Sequence, residues 1–238
     1  MDEMKIGGKE YKIENPITVL KTFYLLFGSI SIIYDGIKIP NDNDMESALP
    51  VCIDLIYRFR GRTKIKRKDL EEEIKSKLNI LSKIRNMKLL TAEGEINQGE
   101  LGKLETTITS LTEINGLGLS TATKLLHPIN RDIPILDSLV QKVYMEKGKP
   151  AICEILNKYF DDYQNNSEFF DKIRSENFTV SGEINKESKN LIKINKNKNE
   201  VTLIIPKDIT DVRIFDIFLW LFGKEGENHN IIYKKLNR

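Results

Sequence analysis

Leu111-Thr-Glu-Ile-Asn-Gly-Leu-Gly-Leu-Ser-Thr-Ala-Thr-Lys-Leu-Leu126, followed after a short gap by Ile133-Pro-Ile-Leu-Asp137, decides how this chain is read. Leu111 and Ile114 end one apolar helix, Asn115-Gly-Leu-Gly118 turns the chain, and a second short helix starts at once. Leu111, Ile114, Ala122, Leu125 and Leu126 have the spacing to pack the two helices together, which leaves Leu117 alone expected to point outward. Gly116 and Gly118 permit backbone angles that other residues resist, and they leave the amides at the next helix start uncovered. Such a start, with unpaired N–H groups and the positive end of the helix dipole, is an anion site. Ser120 and Thr121 follow with hydroxyls that can join the same anion. An ordinary helix–turn–helix corner, with glycine merely ending a helix, gives the same local pattern. Asp137 then enters a third helix at Ser138, either as its N-cap or as a functional carboxylate, and the two roles can coexist.

Working outward, helical periods predominate. Pro16 suits a first helical turn before Ile17–Phe27, and Met45–Phe59 repeats with Pro50 as a kink or restart. Asp69–Ile84 reads as one amphipathic helix with Leu70, Ile74, Leu78 and Leu81 on a face. Gln98–Ile114 runs into the turn. Ser138–Glu146, Ala151–Tyr163, Glu168–Ile173 and Asp211–Phe222 follow, the last carrying Trp220. Residues 1–14 read as a short strand or loose arm, and Val201–Ile205 as a short strand. Residues 182–200, rich in Lys and Asn, read as a mobile loop or hairpin tip. The expected class is therefore all-α in the main, with at most a minor β-hairpin.

The 238 residues carry a net charge of only +2, so no global field argues for a nucleic-acid partner and local clustering has to. Arg58–Lys68 supplies one cluster, with seven cations in eleven residues and no acid; it fits either a DNA-backbone contact or a solvated connection. Cys52 and Cys153 are too far apart in sequence for a metal-spaced set, and a reducing cytosolic setting is the default. With His127 and His229 the only histidines, no zinc ligand set is visible. His127, before Pro128, reads as a helix C-terminal residue or as a cleft-lining one. No apolar run suits a signal peptide or a membrane span. The expectation is a soluble, cytoplasmic, nucleoid-associated monomer.

Residues 111–143 resemble the helix-hairpin-helix signature of the DNA glycosylase superfamily, the helix-hairpin-helix/Gly-Pro-Asp group. Gly116-Leu-Gly-Leu-Ser-Thr-Ala122 is similar to its Gly-Val-Gly-x-x-Thr-Ala core. Pro134-Ile-Leu-Asp-Ser-Leu-Val140 is similar to the segment that delivers its aspartate, most of all in the adenine-glycosylase branch. The resemblance implies a single domain over 1–238 made of two helical lobes around a cleft. One lobe would span 15–134, with the turn at 111–126, and the other 1–14 plus 135–238. It implies double-stranded DNA as partner, gripped at Asn115, Gly116, Leu117, Gly118, Ser120 and Thr121.

The resemblance also places Asp137 in the catalytic position, where it would stabilise positive charge on the sugar as a base departs and orient or deprotonate a water. Bifunctional relatives carry a nucleophilic lysine where this chain has Ser120, so a monofunctional, water-using enzyme is implied. Lys124, one turn on, is a secondary catalytic candidate or a phosphate contact. The backbone carbonyls of Thr112, Ile114 and Leu117 would hold a monovalent cation. No organic cofactor is implied, and two distant cysteines leave no iron–sulfur cluster. Adenine-specific members need a second acid; Glu14, Asp35, Glu46 and Asp54 lie in the right region without a motif. Tyr24, Tyr34, Tyr57 and Phe59 sit where a base pocket would be, although core packing explains each. Trp220 among Phe215, Phe218, Leu219 and Phe222 reads as core. Two other functions fit the residues: a non-catalytic DNA-binding protein that keeps the turn, and a helical protein-interaction module.

Overall fold

The structure, a computed structural model, describes residues 2–13, 15–20, 23–24, 35, 39, 45–58, 65–91, 94–145, 150–174, 179–183, 200–204 and 209–225. It is mainly helical. Strands β1 (Asp2–Ile6) and β2 (Lys9–Ile13) come first, then a helical segment at residues 16–20. Helices α1 (Met45–Arg58), α2 (Arg67–Lys75), α3 (Leu78–Arg85), α4 (Gln98–Thr112) and α5 (Leu119–Leu126) precede the Ile133–Asp137 loop. After it come α6 (Ser138–Tyr144), α7 (Ile152–Asn165), α8 (Ser167–Arg174), strands β3 (Thr179–Glu183) and β4 (Glu200–Ile204), and α9 (Asp211–Glu225).

Two antiparallel hairpins are present where one minor hairpin at most was expected. In β1–β2 a two-residue Gly7-Gly8 turn pairs Met4 with Tyr11, and Met4, Ile6, Tyr11 and Ile13 are buried while their neighbours face outward. That period of two is the strand signal, hidden in sequence by its lysines and glutamates. It is no loose arm. Asn166 grips Lys5 through both the amide (2.9 Å) and the carbonyl (2.8 Å), Asp162 accepts from the Gly7 amide (2.7 Å), and Tyr11 stacks on Phe222 at 4.1 Å. β3 and β4 pair on either side of 184–199, and that stretch, which holds most of the expected mobile loop, lies outside the described residues.

The amphipathic run 69–84 is two helices rather than one. Lys77 leaves the helical path, its amide donating to Ile74 O at 2.8 Å and its ammonium to Ser110 Oγ at 2.8 Å. The break lets Leu70 and Ile74 on one piece and Leu81 and Ile84 on the other all reach the core. Pro50 lies within α1 without ending it. α4 is capped by Asn97, whose side chain accepts from the Glu100 amide (3.2 Å), and it buries Leu101, Leu104, Ile108 and Leu111 along one stripe. α1 packs on α5, α4 on α5 and α7, and α6 lies along α9. Trp220 meets Phe23 edge-on at 5.9 Å against the core, as expected of a packing residue. No helix among the described residues is long and apolar enough to cross a membrane.

Candidate functional site

Gly116 has φ +91, which only glycine adopts readily, and it makes the turn possible. Gly118 does not need that freedom: it is the N-cap of α5 with φ −86 and ψ 171. A Cβ built there meets nothing within 4 Å, so what its hydrogen provides is an open surface. Thr121 and Ala122 donate to the Gly118 carbonyl (2.9 Å each), which leaves the Leu119 and Ser120 amides at the helix start uncommitted to it. Residues 112–118 line an open concavity at this point.

One expectation for the turn is corrected. Leu117 does not point outward; it is 2% exposed, because the buried stripes of α4 and α5 close over it. Thr121 is only 5% exposed, on the side of α5 that packs into the fold. The exposed face is thus built from Asn115, the Gly116 and Gly118 backbone and half-exposed Ser120, and Leu117 can contribute only backbone. Thr112, Ile114 and Leu117, whose carbonyls the resemblance assigns to a monovalent cation, line the same concavity. Ile114 O already accepts from the Leu117 amide at 2.9 Å and keeps one lone pair. Glu113 is exposed at this lip, a charge that favours a cation and opposes a phosphate. Among the described residues no group of His, Cys, Asp and Glu is arranged to hold a metal ion.

The structure brings Asp137 to the flank of α5. The Leu136 amide donates to Thr123 Oγ1 on that helix at 3.1 Å. Burial lowers the pKa of half-buried Lys124, the negative charge of Asp137 pulls it back up, and Arg213 lowers it further. Lys124 thus lies within electrostatic reach of Asp137, on the helix that starts with the uncommitted amides. Asp137 is also the N-cap of α6: its Oδ1 accepts from the Leu139 (2.9 Å) and Val140 (3.1 Å) amides. The cap role is thus observed, and it occupies one carboxylate oxygen.

The loop ahead of Asp137 is held by side chains rather than by secondary structure. His127 is fully buried, and its Nδ1 lies 2.6 Å from Ile133 O. Burial and then Arg131 and Arg213 push its pKa well down, so the neutral ring donates its Nδ1 proton to that carbonyl. It is a structural brace, not a cleft residue. Asn130 donates to Ile84 O (3.0 Å) and Met87 O (2.8 Å), satisfying carbonyls at the end of α3. Gln141 Nε2 donates to Leu136 O at 2.7 Å, and Asp216 Oδ2 accepts from the Ile135 amide at 3.0 Å.

Sequence reasoning missed Asp216, Thr123 and Gly223. A Cβ on Gly223 would lie 2.1 Å from Leu139 O, so this glycine lets α9 touch the first turn of α6, beside Asp137. A polar residue within an apolar helix was the one available sign of Asp216.

Of the described second-acid candidates, Asp35 and Asp54 are taken up in ion pairs. Asp35, with a side chain 1% exposed, accepts from Arg213 Nε (2.8 Å) and Tyr24 Oη (2.7 Å). Asp54 pairs with Arg67 at 2.9 Å on the surface, and Glu46 is exposed on α1. Tyr24 is fully buried, and Tyr57, partly buried against the core, donates to Ile65 O at 2.8 Å. Glu14, Tyr34, Phe59, His229 and residues 59–64 of the cationic run lie outside the described residues; of the rest of that run, Lys66 is exposed, Arg67 pairs with Asp54 and Lys68 stands 3.8 Å from Glu72. Comparison of the chain with protein-family models, with curated proteins and with solved structures finds no match in any of the three.

Proposed function

We propose that this protein binds double-stranded DNA through the 114–120 turn and hydrolyses the N-glycosidic bond of a damaged, mismatched or modified base, with Asp137 as the catalytic carboxylate. The observation that carries the reading is the placement of Asp137 beside α5, tied there by the Leu136–Thr123 bond at 3.1 Å, on the helix whose start offers uncommitted amides. In this scheme the Leu119 and Ser120 amides take a backbone phosphate, and the target nucleotide swings out between two helical lobes. As the C1′–N bond breaks, the base leaves with the electron pair and the sugar gains positive charge facing Asp137. Water then adds at C1′ and loses its proton, for which the Asp137 oxygen not used by the α6 cap is the acceptor. Lys124 supplies a positive charge between this carboxylate and the phosphate. A monovalent cation held by Thr112, Ile114 and Leu117 would offset Glu113 beside the phosphate.

One observation favours a second reading, DNA binding without base excision: Asp35, the most buried of the described second-acid candidates, is taken up by Arg213 and Tyr24. Incubation with duplexes bearing a panel of modified bases, followed by hot alkali, decides between them. Strand breaks at one lesion, lost in Asp137→Asn, support the enzyme. Salt-sensitive binding with no breaks on any duplex supports the second reading, and no binding at all removes both.

A further inference from the structure

Asp216 lies on α9, 2% exposed, and its carboxyl meets groups from two other parts of the fold. Oδ2 accepts from the Ile135 amide at 3.0 Å, and Oδ1 lies 2.9 Å from Tyr159 Oη of α7. Tyr159 Oη is in turn 3.0 Å from the Val212 carbonyl oxygen, and Tyr159 is fully buried. The protons in this chain can be counted. A phenol has one, and a carbonyl and a carboxylate can only accept. Were Asp216 ionised, Tyr159 would face two acceptors with one proton, and one of the two short O···O contacts would hold no hydrogen. A phenolate at Tyr159 would be worse, and burial followed by the charge of Asp216 raises its pKa well above the usual value. With a proton on Oδ1 the count closes: Oδ1–H donates to Tyr159, Tyr159 donates to Val212, and Oδ2 remains an acceptor for Ile135.

We propose that Asp216 stands in the folded protein as a neutral carboxylic acid donating to Tyr159, and that in this form it is the positioning residue for the Ile133–Asp137 loop. Its bond to Ile135 and that of Thr123 to Leu136 hold two successive amides just before Asp137. The link to Asp137 rests on the proposed function for its meaning; the proton on Asp216 does not. The groups facing Asp216 agree. Arg213, on the same helix, favours the ion, but its Nε donates to Asp35, which also takes Tyr24. Asp137 from the loop, with Tyr159 of α7, Tyr144 of α6 and Asp216 itself within one electrostatic cluster, adds negative charge. Burial is the largest influence and pushes the carboxyl up to about 8.

Asp216→Asn tests this, because an amide copies the neutral acid, with Nδ2 donating to Tyr159 and Oδ1 accepting from Ile135. In the unfolded chain the carboxyl is ionised above pH ~4, whereas in the fold it keeps its proton to about 8. The wild type therefore loses stability as pH rises through that window, and no further above it. Melting temperatures measured across it should show Asp216→Asn at or above the wild type, with an advantage that grows toward the upper end and then levels off. A variant that melts below the wild type, by a deficit growing with pH, would mean an ionised Asp216 and overturn the proposal.

The positioning role is read by amide hydrogen exchange, which needs no activity. Asp216→Ala should speed exchange at Ile135 and its neighbours by about tenfold, the factor implied by one buried hydrogen bond, and Asp216→Asn should restore protection. Unchanged exchange in the alanine variant overturns the role. Failure of every duplex to yield abasic sites would instead count against the proposed function and leave both of these readouts intact.

Discussion

Asp137→Asn separates the two duties of this residue. As N-cap, Asp137 accepts from the Leu139 and Val140 amides through one oxygen. Asparagine caps about as well as aspartate, whereas alanine removes the acceptor at a cost of about 1 kcal/mol. For a chain of this size that loss lowers the melting temperature by about 2–4 °C, and the asparagine variant should move by less than about 1 °C by the same scaling. Chemistry should respond in the opposite order. Asparagine carries no charge to face a developing cation and no lone pair basic enough to take a proton from water. Loss of one such electrostatic contact costs about 10²–10³-fold in rate. The assay pairs thermal unfolding with single-turnover release of a base from the responsive duplex, read as alkali-labile breaks. Asp137→Asn should melt like the wild type, bind the duplex with similar salt sensitivity and yield breaks at least about a hundredfold more slowly. Wild-type rates in a variant that melts normally would refute a catalytic role and leave Asp137 a cap alone.

Other perturbations probe the supporting frame. Gly116→Ala forces a side-chain-bearing residue to φ +91 and should lose about 1–2 kcal/mol in chemical denaturation, while Gly118→Ala, with open space for its Cβ, should fold normally and weaken only duplex binding. Equal stability losses in the two would contradict this account of the turn. Gly223→Ala drives a Cβ into Leu139 O, so α9 and α6 must part; a loss of about 1–3 kcal/mol is expected, with altered exchange at the α6 amides as its local signature. Asp35→Asn should cost about 3–5 kcal/mol by leaving the buried Arg213 guanidinium without that carboxylate, and Asp35→Leu combined with Arg213→Met should recover most of it. A double variant no more stable than the single one would show that the pair is not the unit.

The helical character of the chain was legible because periods of 3.6 recur in most segments between Met45 and Ile173 and again in Asp211–Phe222, and they depend only on near neighbours. Helix ends were legible where a cap is local, as with Asp137 before Ser138. The break at Ser76–Lys77 was not, since it answers to Ser110 on another helix. The β1–β2 hairpin was half legible: its alternation is there, but its anchor is Asn166, far along the chain.

For the candidate site, the sequence by itself determined the Gly116 turn, the helix start that follows it and an acid at the head of α6, all within one short stretch. Tertiary structure alone decided what each can face. It buried Leu117, which local periodicity had placed outside, because whether a face is covered depends on elements distant in sequence. It set Thr123 and Asp216 on the two amides before Asp137, consumed Asp35 in a pair with Arg213, and gave Gly223 its reason. Hydrogen bonds and ion pairs of that kind join residues tens of positions apart, and no periodicity records them; the identity of a residue is local, but its partner is a property of the fold.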